Sequence, residues 1–124
     1  MIKIDFNSET PIYIQLKNEI IKEIAKGELI EGDSLPTIRE LASDLGVNLH
    51  TVNKAYNILK DDGYVTISRR NGVTINISKR DKSLKKIQEE MDFLIKEAIC
   101  KNISKSELIN LLEEVYENTK MKNN

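Results

Sequence analysis

The 124-residue sequence predicts a mostly α-helical chain with one small β-hairpin, and three observations carry that expectation. Two short amphipathic stretches flank a turn at Gly46. After Gly63 the apolar spacing drops from about 3.6 to 2 residues. From about Asp81 it returns to alternating steps of three and four, the spacing of a helical seam.

The first helix is expected to open at Thr10-Pro11, with Thr10 as N-cap and Pro11 at the first helical position. Ile12, Leu16, Ile20 and Ile24 recur every fourth residue, and Gly27 is the expected stop. The stretch from Leu29 to Pro36 reads as a turn-rich connection. Thr37 and Glu40 have the capping-box spacing, in which the hydroxyl accepts from the helix and the carboxylate reaches back. Ile38, Leu41, Ala42 and Leu45 then trace a buried face before Gly46 ends the helix. Asn48 is placed to cap a third helix, about Leu49 to Asp61, with Val52, Ala55, Tyr56 and Leu59 inward. Two short helices joined by a tight Gly-containing turn form a helix-turn-helix.

Beyond Gly63, Val65 and Ile67 alternate with polar residues, as do Val73, Ile75 and Ile77. The intervening Ser68-Arg-Arg-Asn-Gly72 contains Asn71-Gly72, a strong hairpin signal. A helix-turn-helix followed by such a hairpin is a winged helix, expected over residues 1–78. Residues 79–124 form the tail. Its first helix carries Leu84, Ile87, Met91, Leu94 and Ala98 as an a/d seam, widened by Phe93, Ile95 and Ile99. Asn102 falls in the turn, and Ser104-Lys-Ser-Glu107 has the form of a second capping box. The last helix points Leu108, Leu111, Leu112 and Val115 inward. Two such helices cannot bury this surface alone, so a second copy of the chain is the expected cover. The fold expected is thus a winged helix-turn-helix domain plus a C-terminal helical dimerisation tail.

Composition narrows the function. No run of about 18 apolar residues exists to cross a membrane, and Met1 to Asp5 show no secretory pattern. The lone Cys100 cannot form an internal disulfide and suits a reducing cytoplasm. It reads as a small hydrophobe in the dimer seam. The net charge of −1 hides an asymmetry. Residues 34–80 carry seven basic and four acidic side chains, whereas residues 1–33 carry four and seven. The surplus of positive charge therefore falls on the winged-helix segment, where phosphate binding requires it.

Catalysis finds no support. The acidic residues lie on helix surfaces without a convergent His, Cys or Ser, and no phosphate-cradling Gly loop occurs. His50 is the sole histidine, which excludes a metal site built on several imidazoles. No cofactor motif is present.

The sequence resembles the GntR family of bacterial regulators. The resemblance rests on Pro11-Ile-Tyr-Ile-Gln-Leu16, Gly27-Glu-Leu29 and Gly32-Asp-Ser-Leu-Pro-Thr-Ile-Arg-Glu-Leu-Ala42. It continues through Leu45-Gly-Val-Asn48, Thr51-Val-Asn-Lys-Ala-Tyr56, Leu59 and Asp62-Gly-Tyr64. The short two-helix tail looks like the YtrA-like branch, whose members often sit beside transporter genes. The resemblance implies an operator-binding homodimer and makes Arg39 a DNA contact. Three positions depart from the family pattern. Leu49 and His50 stand where an Arg often follows the cap, Arg70-Asn71-Gly72 replaces Gly-x-Gly in the wing, and Thr37 replaces Ser.

The expected DNA-facing set is therefore Thr37, Arg39, Asn48, His50, Thr51, Asn53, Lys54, Arg69, Arg70, Asn71 and Gly72. Recognition helices read base edges with their N-terminal residues. His50, Thr51, Asn53 and Lys54 occupy that stretch and point away from the inward face. Arg69 and Arg70 at the wing tip suit a phosphate or minor-groove contact. The competing reading is a winged helix that docks on another protein without specific DNA binding. A small-molecule effector would have to contact two chains or the interdomain groove. A tail of about 40 residues cannot alone enclose the roughly 300–1,000 Å³ of a drug-sized pocket.

Overall fold

The computed structural model describes residues 2–78 and 80–121. It contains α1 (Ile12–Ala25), α2 (Ile38–Leu45), α3 (Leu49–Asp61), β1 (Val65–Ser68), β2 (Gly72–Ile75), α4 (Arg80–Cys100) and α5 (Lys105–Met121). The chain divides into two compact units, residues 1–77 and 78–124. The boundary expected between 78 and 79 abuts residue 79, which lies outside the described residues.

The first unit is held by one apolar cluster. Leu16 and Ile20 of α1, Leu41 and Ala42 of α2, and Val52, Ala55, Tyr56 and Leu59 of α3 meet in it. Val65, Val73 and Ile75 close it from the hairpin side, and Leu35 joins from the loop before α2. Helix α3 lies at the centre, packed against α1, α2 and β1.

Local chemistry fixes the helix ends. At α2 the Thr37 hydroxyl accepts from the Glu40 N–H (3.1 Å), and the Glu40 carboxylate accepts from the Thr37 N–H (3.2 Å). Gly46 closes the helix at φ 68°, a left-handed conformation that costs glycine little. The α1 start differs from expectation: Pro11 is the cap residue, with φ −54° and ψ 145°, and makes no side-chain cap bond. Gln15 ties down this end instead. Its amide donates to the Thr10 carbonyl (2.8 Å) and the Asp5 carbonyl (3.0 Å) and accepts from the Asp5 N–H (2.8 Å).

The hairpin pairs Val65 with Ile75 and Ser68 with Gly72, leaving Arg69, Arg70 and Asn71 as a three-residue tip. Gly72, the first residue of β2, sits at φ 67°, a left-handed conformation open to glycine at little cost. The connection before α2 is more than a turn. Ser34 bridges Thr74, with Leu35 N–H donating to the Val73 carbonyl and Ile75 N–H to the Asp33 carbonyl, both at 2.8 Å. Strand β2 stops at Ile75 rather than running to Ile77. The Asn76 N–H still donates in register to the Tyr64 carbonyl, but the Tyr64 N–H turns to the Leu59 carbonyl, so that pair is only half made; the Ile77 N–H, on the other edge, donates to the Glu31 carboxylate. Ile67, expected inward like Val65, is exposed because the wing extends past the helices that cover Val65.

In the second unit, Asn102 adopts φ 61° in the turn and the Ser104 hydroxyl accepts from the Glu107 N–H (3.1 Å). Ala98 is the seam residue buried within one chain. Leu84, Ile87, Met91, Leu94, Leu111, Leu112 and Val115 remain 41–61% exposed. α5 thus does not turn these residues inward onto α4, because the two helices do not pack along one another.

Candidate nucleic-acid interface

Two elements far apart in sequence form one face. The N-terminal end of α2 and the wing tip line an open cleft of about 660 Å³. Thr37, Ile38 and Arg39 contribute from α2; Arg69, Arg70, Asn71 and Gly72 contribute from the wing; Leu35 and Val73 form the floor. The β-bridge between Ser34 and Thr74 explains the proximity, since it ties the residues entering α2 to β2. All three guanidinium groups are on exposed residues. Three fixed positive charges around one cleft favour a polyanion over any neutral ligand.

Within the tip, the Ser68 hydroxyl accepts from the Asn71 N–H (2.9 Å), which orders the loop carrying both arginines. At α2 the capping box consumes the Thr37 backbone N–H. Thr37 can therefore offer a phosphate its hydroxyl proton but not its N–H. The hydrogen bonds from Thr37 hold the Glu40 carboxyl below the usual carboxylate range.

Helix α3 presents the other expected residues. Asn48 spends its side-chain oxygen on the His50 N–H (2.7 Å), so capping leaves its NH₂ end for a ligand. His50, Asn53 and Lys54 are exposed and Thr51 is half-buried. None of these four lines the arginine cleft. Leu49, at 42% exposure, puts an apolar side chain at the start of the helix. On the inward face, the Tyr56 hydroxyl donates to the Pro36 carbonyl (2.7 Å), joining α3 to the segment that opens α2. Burial, and then the charge of Glu40, push the phenol well above its ordinary value. Tyr56 is core.

Two residues absent from the expected set shape this face. Lys54 Nζ lies 4.0 Å from the centroid of the Tyr13 ring, so a cation–π contact from α1 fixes its reach. The Asn57 amide donates to the Asn53 carbonyl (2.9 Å) and to Asn53 Oδ1 (3.1 Å). The i, i+4 spacing made Asn57 findable; nothing local links Tyr13 to Lys54. Among the described residues, no cluster of His, Cys, Asp and Glu could hold a metal ion. No helix among them is long and apolar enough to cross a membrane.

Comparison with known proteins agrees with this geometry. Residues 12–75 match the family described as bacterial regulatory proteins, gntR family. The chain is 32% identical to the HTH-type transcriptional repressor YtrA of Bacillus subtilis (strain 168), over 97% of this chain and 95% of that protein. It superposes on YtrA from Sulfolobus acidocaldarius, a GntR-family transcription factor, with TM-score 0.63 and 47% identity, covering 94% of this chain and 97% of the other. It also superposes on the DNA-binding domain of AraR in complex with operator ORX1, with TM-score 0.55 and 28% identity, covering 60% and 95%. The protein is accordingly a member of the gntR family of bacterial regulatory proteins, of the YtrA-like type with a short helical tail.

Proposed function

We propose that this protein is a sequence-specific DNA-binding transcriptional regulator that acts in the cytoplasm as a homodimer on an inverted-repeat operator. Its effect is repression of a small operon, with a transporter operon the first candidate. The observation that carries the reading is the cleft lined by Arg39, Arg69 and Arg70, with the exposed His50, Asn53 and Lys54 of α3 as the second element. Such a face suits a duplex: arginines grip phosphates on either side while a helix enters the major groove. The operator bound by the related AraR domain and the repressor name of the Bacillus relative support it.

In this reading His50, Thr51, Asn53 and Lys54 face base edges, with Asn48 and Thr37 at the helix starts and Asn71 and Gly72 shaping the wing. The tail supplies the dimer. Leu84, Ile87, Met91, Leu94 and Ala98, together with Leu108, Leu111, Leu112 and Val115, pack on the same surface of a second chain, giving two-fold symmetry. What supports this is the apolar surface that one chain leaves uncovered. Selection of bound duplexes from a random library, followed by footprinting, tests the reading. The expected winner is a symmetric pair of half-sites one helical turn, or a multiple of it, apart. Recovery of no enriched sequence, with protein partners bound instead, would favour the protein-docking alternative.

A further inference from the structure

Leu49 is out of keeping with its surroundings. It is the exposed large apolar side chain of α2 and α3. Around it, Leu45, Val47 and Val52 belong to the apolar cluster or pack against it, whereas Leu49 stays in solvent. The buried face of α3 is Val52, Ala55, Tyr56 and Leu59, and Leu49 lies off that face. Its neighbours on the helix surface are His50 and, one turn on, Asn53, both exposed. Its side chain has no part in capping, since the Asn48 oxygen accepts from the His50 N–H. An isolated exposed leucine is ordinary on a protein surface. This one stands in the first turn of the helix whose N-terminal residues read base edges.

We propose that Leu49 is a specificity-determining residue that reads the C5-methyl group of thymine in the major groove. The inference rests on the reading above in which the start of α3 faces base edges. Among the groups that base pairs present in the major groove, the thymine methyl is the apolar one; guanine, adenine and cytosine present acceptors and amino donors. A leucine pressed against those groups displaces their water and returns no hydrogen bond. Against the methyl, both partners remove apolar surface from water, worth about three- to fivefold in affinity for a group of that size. Leu49 therefore separates thymine from uracil, which keeps the O4 acceptor and the pairing edge but lacks the methyl. Hydrogen bonds from His50 and Asn53 do not depend on that group.

The test uses the full chain and the duplex recovered by random-library selection. Each thymine of the half-sites is replaced in turn by deoxyuridine, and gel-shift titration compares the natural protein with Leu49→Ser. Leu49 lies outside the buried core, so the variant should keep the natural circular dichroism melting curve. With the natural protein, one thymine per half-site should lose about three- to fivefold in affinity on becoming deoxyuridine. Leu49→Ser should bind those two duplexes equally. At the same position, 5-methylcytosine should bind more tightly than cytosine, and only with Leu49 present. A flat scan in the natural protein, or methyl effects that all persist in Leu49→Ser, would overturn the proposal and leave the operator-binding reading intact. Recovery of no enriched duplex would instead overturn that reading, and this proposal with it.

Discussion

The winged-helix unit and the tail carry apolar residues at the same helical spacing, yet the two regions dispose of them oppositely. In α1 and α3, Leu16, Ile20, Val52, Tyr56 and Leu59 are fully buried. In α4 and α5 the corresponding stripes are about half exposed, apart from buried Ala98 and partly buried Leu108. Periodicity therefore tells which face of a helix is apolar but not what covers it. The first unit has elements on three sides of α3 to do the covering. The tail has two helices that do not pack along each other, and most of its apolar side chains stay about half exposed.

The largest expected effect that sharpens this contrast is on folding. Leu59→Ala should destabilise the winged-helix unit by about 2–5 kcal/mol, the range for emptying a buried leucine site. Leu111→Ala should leave that unit's melting temperature unchanged. Thermal unfolding followed by circular dichroism compares the two, and equal losses would erase the distinction between the regions.

Next comes assembly. Ile87→Glu combined with Leu94→Glu should place unpaired charges in the proposed seam, at several kcal/mol to the dimer. The expected product is a monomer with an intact winged helix that binds a half-site weakly. It loses tight binding to the full operator because the second half-site no longer arrives at high effective concentration. Analytical ultracentrifugation paired with gel-shift titration reads both quantities. A variant that stays dimeric would refute the seam.

Smaller effects concern how α2 and α3 are set. Tyr56→Phe removes the donor to the Pro36 carbonyl and should cost about 1–3 kcal/mol, since the acceptor is left without that partner. Smallest is the pH response of the α2 cap. The folded-state pKa of Glu40 is lowered by its bonds with Thr37, so its stabilising contribution is present above the unfolded carboxylate value. That contribution fades as the pH falls through the lower folded value. Melting curves across acid pH should show this component, and Glu40→Gln should remove it while keeping an amide oxygen for the Thr37 N–H.

Much of the fold was legible because its signals are local. The Thr37–Glu40 capping box, the Gly46 stop, the Asn48 cap and the glycine of the hairpin lie within a few residues of what they fix. What was not legible depends on pairing across the chain. Gln15 replaced Thr10 at the head of α1 by reaching back to Asp5. Ser34 joined the hairpin across 40 residues, and the Glu31 carboxylate took the Ile77 N–H across 46. The binding face divides the same way. Arg39, Arg69 and Arg70 stood out individually as cations in a basic segment, but their shared cleft follows from the Ser34–Thr74 bridge. Lys54 was visible as an exposed lysine; its fixed position over Tyr13 required the packing of α1 on α3.

If the arginine cleft grips the phosphate backbone, duplex binding must depend on ionic strength through Arg39, Arg69 and Arg70. Log affinity should fall linearly with log salt, with a slope of about −0.9 for each phosphate neutralised. Replacing Arg39, Arg69 and Arg70 together with Ala should flatten that slope by about 0.9 per arginine in each bound subunit. A slope unchanged by the triple substitution would leave the cleft without a role in DNA binding.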